Sequence, residues 1–280
     1  MKNTELTIDF MDHVRDYIIK YNLYNVTPNT KYSLNEILEV IKYILITGSS
    51  WRSLDLGVFK NSYKWQSIYY HYSKFCTYNI FQNVYTNLLS HYFKKNKSGK
   101  LKYLSVDTSL IKNECSSDAN YGYNKKKKVC KLSLIVDSNG IPISVLLAKG
   151  NANDGKIMLD NMEDMLVCVD YNNKKKNNKH KRYMMGDKIY DTEEVRNKIK
   201  DNNITPIIAA NKRNTKDKEK LNMKKLSKNH KKIYRKRIKV ENSFSWIFKN
   251  RRTNRRWDKH CSTYLGFVYF ALINIISKRI

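Results

Sequence analysis

Over the first 95 residues, apolar positions return every three or four residues. Ile8, Met11, Val14, Ile18 and Ile19 fall on one helical stripe. Ser33 with Glu36 three residues later has the capping-box form and opens an apolar run through Leu38, Ile41 and Leu45. Gly48-Ser49-Ser50 ends that helix, and Trp51, Leu54, Trp65, Tyr69 and Tyr72 carry two further short ones. A module of four or five helices fits a helix-turn-helix DNA binder and equally a bundle with no ligand.

The period changes after the basic stretch Lys94 to Lys100, which marks a boundary. Leu101 to Val106 alternates as a strand and ends at Asp107. Val129 to Val136 and Ile141 to Ala148 are two more strands, joined by the hairpin-type turn Asp137-Ser138-Asn139-Gly140. Ile157 to Val167 is helical, Tyr183 to Gly186 is a fourth strand ending at Asp187, and Asp191 with Glu194 caps the next helix. Ile204 to Ala209 is a fifth strand, Asn211 to Lys232 a basic connector, and Ile233 to about Lys249 a helix. Three strands, then helix, strand, helix, strand, helix is the order of an α/β domain of ribonuclease-H-like type. It predicts a mixed five-stranded sheet flanked by helices and preceded by an all-helical N-terminal domain. The expected domains are 1–95 (helical, DNA-binding), 100–260 (catalytic sheet) and 261–280 (a closing helix).

Composition narrows the partner. Fifty-four Lys and Arg against 25 Asp and Glu give 280 residues a formal charge of +29, and 41 % apolar content is enough for a core. Only 12 residues are Gly or Pro, which excludes collagen-like and linker classes. Such an excess calls for an anionic partner: nucleic acid first, an acidic membrane surface second. The Lys runs 125–128 and 174–176 read as solvated loops, because abundant Lys, Asn, Ile and Tyr are what AT-rich coding produces. Arg is more informative. Six of the 12 Arg (Arg235, Arg237, Arg251, Arg252, Arg255 and Arg256) fall within 22 positions, and the planar guanidinium matches phosphate oxygens. The five cysteines are widely spaced with no C-x-x-C pair, so they read as buried free thiols rather than a disulfide framework or zinc site. No apolar leader follows Met1, and the apolar stretch Tyr264 to Ile276 is too short to span a bilayer. A soluble, intracellular protein is expected.

Three acids carry the candidate chemistry. In a sheet of this order the first and fourth strands are neighbours, so Asp107 and Asp187 emerge at one edge, and Glu241 lies on the last helix, which packs across it. Each has an ordinary reading: a turn aspartate, a helix cap, a solvated glutamate paired with Arg237. Together, three carboxylates suit Mg²⁺ or Mn²⁺. Two such ions about 3.5–4 Å apart can activate an attacking oxygen and stabilise a leaving one at a phosphodiester.

Several segments resemble DDE transposases of the bacterial insertion-sequence type, in the insertion-sequence-four and insertion-sequence-five superfamily. Val106-Asp107-Thr108-Ser109 is similar to the first-Asp segment. Gly140-Ile141-Pro142 and Gly150 to Asp154 resemble the family's next strand and loop, and Gly186-Asp187-Lys188-Ile189-Tyr190-Asp191 its second-Asp motif. Tyr234, Arg237 and Glu241 have the spacing of the third, and Arg251-Arg252 with Arg256-Trp257-Asp258 resembles the arginine-rich tail. Ile44 to Arg52 resembles the N-terminal helical segment. Phe248 stands where the family has Lys.

The resemblance implies a transposase that binds the inverted-repeat ends of its element, cuts them and joins them to target DNA. Asp107, Asp187 and Glu241 would hold two Mg²⁺, with Mn²⁺ as a substitute, and Tyr234 and Arg237 would support Glu241 and the scissile phosphate. Lys249, Arg251, Arg252, Arg255 and Arg256 would track DNA backbone, and Trp51 and Arg52 would serve with the end-reading helices. It further implies double-stranded DNA as partner and a homodimer on it, in the cytoplasm beside the nucleoid of a bacterium or in a nucleus for a eukaryotic or viral host. A nuclease on the same fold and a non-catalytic DNA-binding descendant remain alternatives.

Overall fold

The computed structural model describes residues 9–24, 31–56, 63–94, 97–113, 115, 120–121, 128–168, 181–213, 222 and 225–280. Ile8, most of the Lys runs and part of the connector after Asn211 lie outside them. The chain divides into a helical unit, Met1–Tyr92 with Ile247–Ile280, and a sheet unit, Phe93–Trp246. Residues 247–260, expected with the sheet, thus fall in the helical unit, as does the closing helix.

The helical unit begins with α1 (Phe10–Lys20), which buries Phe10, Val14 and Ile18 and leaves Ile19 exposed. Helix α2 (Leu34–Thr47) starts at the expected capping box: Ser33 Oγ accepts from Glu36 N, and the Glu36 carboxylate accepts from Ser33 N at 2.8 Å. It ends at Gly48, whose φ of +71° is the left-handed cap glycine tolerates best. A 3-10 turn (Trp51–Leu56) leads to α3 (Trp65–Thr77) and α4 (Ile80–Lys94).

In the sheet unit a short α5 (Lys97–Lys100) precedes β1 (Tyr103–Asn113), β2 (Asn120–Tyr121), β3 (Lys128–Val136) and β4 (Pro142–Lys149). Then come α6 (Asp154–Cys168), β5 (Arg182–Gly186), a 3-10 turn (Lys188–Tyr190), α7 (Glu193–Asp201) and β6 (Ile204–Ile208). Helix α8 (Lys228–Tyr234), a 3-10 turn (Arg235–Arg237) and α9 (Ile238–Phe248) come next. Back in the helical unit, α10 (Arg251–Asn254) leads to α11 (Cys261–Ser277). This last helix is apolar nearly all round and buried as such: Phe267 packs on Tyr72 at 4.5 Å between ring centroids, and Phe270 on Phe81 at 5.0 Å.

In the sheet, β4, β3, β1, β5 and β6 lie side by side. β3 runs antiparallel to both β4 and β1, while β5 and β6 add in parallel beside β1. A meander followed by parallel strands on the side of the first is the ribonuclease-H-like arrangement, flanked here by helices. The two-residue β2 on β3 is additional.

Two expectations are corrected. β1 does not end at Asp107: pairing with β3 runs from Ser105 opposite Val136 to Lys112 opposite Val129, so Asp107 is mid-strand. The long antiparallel partner extends β1 through Leu110 and Ile111 despite the polar break. The helix-capping side chain before α7 is Thr192, whose Oγ1 accepts from Val195 N at 3.3 Å, not Asp191. Asp191 is buried instead, accepting from Arg196 Nε at 2.6 Å and from Asn211 N at 2.7 Å. Of the cysteines, Cys76 and Cys130 are buried as expected, with burial pushing the Cys76 thiol up to about 12, whereas Cys115 is exposed.

Candidate active site

The parallel pairing of β1 with β5 has a constant offset: Tyr103 faces Tyr183, Leu104 faces Met184 and Ser105 faces Met185. The same offset relates Asp107 to Asp187, two residues past the last paired position, and the Asp187 charge acts on Asp107. Gly186, the residue between, is packed so tightly that a Cβ there would lie 3.1 Å from Val106 and 3.0 Å from the Tyr190 ring. β5 stops at Gly186, and Asp187 caps the following 3-10 turn, its Oδ1 accepting from Lys188 N at 2.6 Å. The carboxylate stays exposed at that sheet edge.

Glu241 arrives by a different route. Val240, Ser243 and Phe244 form the buried face of α9. Ser243 Oγ lies within hydrogen-bond distance of the Gly140 carbonyl (2.6 Å) and its own helix's Lys239 carbonyl (2.8 Å). Gly140 has φ +84°, and a Cβ on it would stand 3.0 Å from Lys239 O. The tight β3–β4 turn, whose Asp137 Oδ1 accepts from Asn139 N and Ile141 N, therefore docks the first turn of α9. That turn carries Glu241, which is exposed and nearer the helix start than expected.

Arg237 joins these elements. Its Nη1 donates to Asp107 Oδ2 at 2.7 Å and its Nη2 to Glu241 Oε1 at 2.8 Å. Burial is the largest influence on Asp107 and raises its carboxyl above the usual aspartate range. The Thr108 N–H and Arg237 pull it down, and the Asp187 charge adds to the rise. The Arg237 guanidinium is opposed by burial, but the Asp107 and Glu241 carboxylates hold its pKa above the usual arginine value. Tyr234, half-buried at the end of α8, has its phenol raised by burial first, with the Asp187, Asp107 and Glu241 charges adding. Tyr234 is thus within electrostatic reach of the other four expected side chains, Arg237 links Asp107 with Glu241, and Asp187 acts on Asp107.

Beneath Asp107 lies a polar chain not singled out from the sequence. Tyr190 OH and Thr108 Oγ1 are 3.0 Å apart, Thr108 Oγ1 lies 3.2 Å from Ser133 Oγ, Asn161 Nδ2 donates to Ser133 Oγ at 2.6 Å, and Ser144 Oγ donates to Asn161 Oδ1 at 2.8 Å. Tyr190, Ser133 and Asn161 are at most 1 % exposed. Burial drives the Tyr190 phenol upward, keeping it a neutral donor. The detectable signal was an asparagine on the otherwise apolar face formed by Ile157, Met158, Met162 and Met165.

Residues 99–275 match the family described as Transposase DDE domain. The chain belongs to that family. A DDE transposase cuts and transfers DNA with divalent metal ions, and carboxylates such as those of Asp107, Asp187 and Glu241 are the hard oxygen donors such ions take. The chain is also similar to three solved structures. With "Crystal structure of the catalytic domain of Mos1 mariner transposase" it shares 13 % identity over 60 % of this chain and 89 % of that one, at a TM-score of 0.29. With "Mos1 transposase paired-end complex with left transposon end" the figures are 9 %, 81 %, 81 % and 0.28. With "Crystal structure of the Mos1 mariner paired end complex with Mn" they are 10 %, 84 %, 86 % and 0.27. No curated protein matches.

Among the described residues, no three His, Cys, Asp or Glu side chains stand ready as a metal cage. In this transposase Arg237 is the cation between two of the three acids, a stand-in for positive charge at that place. The donor chemistry, carboxylate oxygens, fits a divalent ion.

The residues expected on DNA divide. Lys249 and Arg251 are exposed and Arg255 is half-buried with its guanidinium over Trp257. Arg252 and Arg256 are not available to phosphate, being 4 % and 1 % exposed. Arg252 Nη2 pairs with Asp258 Oδ1 at 2.9 Å, and Arg256 donates to the Asp258 and Lys259 carbonyls. Burial is what raises the Asp258 carboxyl, with Arg252 and Arg256 opposing it. Two of the expected DNA contacts are therefore corrected to structural braces. Phe248 ends α9, half-buried. Trp51 is buried and Arg52 exposed, and Gly48 approaches the α10 backbone so closely that a Cβ there would fall 2.9 Å from Arg251 Cβ. The two segments flagged from opposite ends of the sequence meet within the helical unit. Among the described residues, no helix is long and apolar enough to cross a membrane.

Proposed function

We propose that this transposase binds the inverted-repeat ends of a mobile DNA element, cuts them and transfers the freed strand to target DNA. Asp107, Asp187 and Glu241 are the metal ligands of this reading, with Mg²⁺ the natural ion and Mn²⁺ a substitute. The bound ions would neutralise phosphate charge and activate the attacking oxygen. The chain's own side chains do the rest: Arg237 leaves the carboxylates for a phosphate oxygen, Tyr234 lines the site, and the Tyr190–Thr108–Ser133 chain fixes β1 beneath Asp107. Chemistry of this kind needs in-line positioning and charge neutralisation more than a protein base. Lys249, Arg251 and Arg255 follow DNA backbone, and the helical unit reads the ends as a dimer on double-stranded DNA.

The observation that carries the reading is Arg237 bonded to both Asp107 and Glu241 across 130 and 4 residues of sequence, with the Asp187 charge acting on Asp107. In the test, Asp187→Ala abolishes metal-dependent cleavage of a supercoiled plasmid carrying the element ends while DNA binding persists. Cleavage retained by that variant overturns the site. A second reading, a DNA-binding protein without chemistry, draws on Phe248 in the family's Lys position. Under it the unaltered chain binds DNA but yields neither cut nor joined product.

A further inference from the structure

The helical unit holds a cavity that the catalytic reading leaves unused. About 360 Å³ of space is lined by Trp51, Arg52, Trp65, Arg252 and Trp257 together with the end of α2. Three of the chain's four tryptophans therefore meet there, from the 3-10 turn, the start of α3 and the segment after α10.

Core packing explains Trp51, which is 8 % exposed and rests against Tyr69, Tyr72 and Phe267. It does not explain Trp257, 47 % exposed, or Trp65, half-buried. An indole left in water forgoes about 25 cal/mol for each Å² of apolar surface it could have buried. Both of these indoles carry a guanidinium: Arg52 lies 5.9 Å from the Trp65 ring and Arg255 4.2 Å from the Trp257 ring. Of the two charged side chains lining the cavity, Arg252 is paired with Asp258 and Arg52 is exposed, so the positive charge offered there is that of Arg52, and the apolar side chains are flat. The matching ligand is planar, aromatic and anionic. In a protein of charge +29 whose neighbouring Lys249 and Arg251 are exposed, that describes one nucleotide of a DNA strand. Its base must be unpaired, since a base inside a duplex offers no free face. The volume is within the roughly 300–1,000 Å³ of small-ligand sites, room for a nucleotide.

We propose that this cavity takes an unpaired nucleotide of DNA, its base stacking on the Trp65 and Trp257 indoles and its phosphate facing Arg52. The inference rests on the DNA-binding reading above and adds the recognition of a base lifted from its pair, at a site separate from the three carboxylates.

The test is a tryptophan-fluorescence titration with the full chain. The probes are the tetranucleotide of deoxyadenosine, an abasic sugar–phosphate chain of the same length, deoxyadenosine monophosphate, and a blunt duplex of about 20 base pairs, a length that spans many phosphates. Stacking is worth about 1–3 kcal/mol per base, so one stacked base should make the tetranucleotide bind about five- to 150-fold more tightly than the abasic chain. Trp257→Ala should bring that preference close to unity, its melting transition confirming that the exposed side chain is dispensable for folding. Arg52→Gln should reduce the salt slope for the tetranucleotide by about 0.7, one phosphate contact. Equal binding of the abasic chain, or a preference that survives Trp257→Ala, overturns the site. Monophosphate bound as tightly as the tetranucleotide overturns a strand as its occupant. Failure of the unaltered chain to bind the duplex counts instead against the DNA reading beneath.

Discussion

Replacing Arg237 with Gln tests whether a side chain and a metal ion compete for the same carboxylates. The guanidinium contacts Asp107 at 2.7 Å and Glu241 at 2.8 Å. The first pair is partly buried, its side chains 22 % and 27 % exposed, and a charge-assisted hydrogen bond in such a place is worth about 1.5 kcal/mol. The second is screened, with Glu241 47 % exposed, and adds about 0.5 kcal/mol. A divalent ion taking Asp107 and Glu241 must break both, a cost of about 2 kcal/mol, or roughly 30-fold in affinity. Some of this returns as the freed guanidinium is hydrated, so Arg237→Gln should tighten Mn²⁺ binding about five- to thirtyfold. Electron paramagnetic resonance titration of free Mn²⁺, without DNA, reads this directly. In a chelator the variant should melt at a lower temperature, because its acids then face one another uncompensated, and added Mn²⁺ should recover the difference. Unchanged or weaker Mn²⁺ binding in a folded variant refutes the competition and leaves Arg237 as a positioning group.

Gly140→Ala places a Cβ at φ +84° and 3.0 Å from Lys239 O; it should cost about 1–2 kcal/mol in urea unfolding and lower cleavage by displacing α9. An unchanged midpoint would refute the docking of Glu241 through this turn. Arg252→Ala breaks a buried pair and should destabilise by about 3 kcal/mol or more, whereas a fully stable variant with weakened DNA binding would restore the phosphate role to Arg252. Burial against Tyr24, Tyr70 and Phe75, with Lys74 adding, lowers the His71 pKa. The fold therefore favours neutral imidazole: its contribution is complete above pH 6.5 and is lost as pH falls through the lowered folded value. His71→Phe should flatten the acid side of the urea-midpoint profile relative to the unaltered chain, and parallel profiles would exclude the effect.

The five main strands and their order were legible because each strand is a local apolar or alternating run, although the reading of Asp107 as the end of the first was wrong. What escaped was set by partners distant in sequence. The length of β1 depends on β3, which pairs with it through Lys112, and nothing between Asp107 and Asn113 announces that. Asp191 and Thr192 are both good capping residues, and the choice of Thr192 comes from Arg196 and Asn211 engaging Asp191. Arg252 and Arg256 read as surface charge because arginine is usually exposed; Asp258 a few residues later was the available sign that they are internal.

The same distinction explains what makes the site. Neither aspartate motif contains information about the distance to the other; the offset of 80 between β1 and β5 supplies it, seen in Tyr103 facing Tyr183. Continuity of that register needs Gly186 small enough for Val106 and Tyr190 to close around it. The third acid comes from a helix held by Ser243 against Gly140, a contact spanning 103 residues. In the proposed site the three local motifs depend on a strand register and a glycine turn, and the many bases matter less to their placement than those two backbone devices. Arg237 is the exception, since a single guanidinium holding Asp107 and Glu241 makes the strand and the helix report on each other.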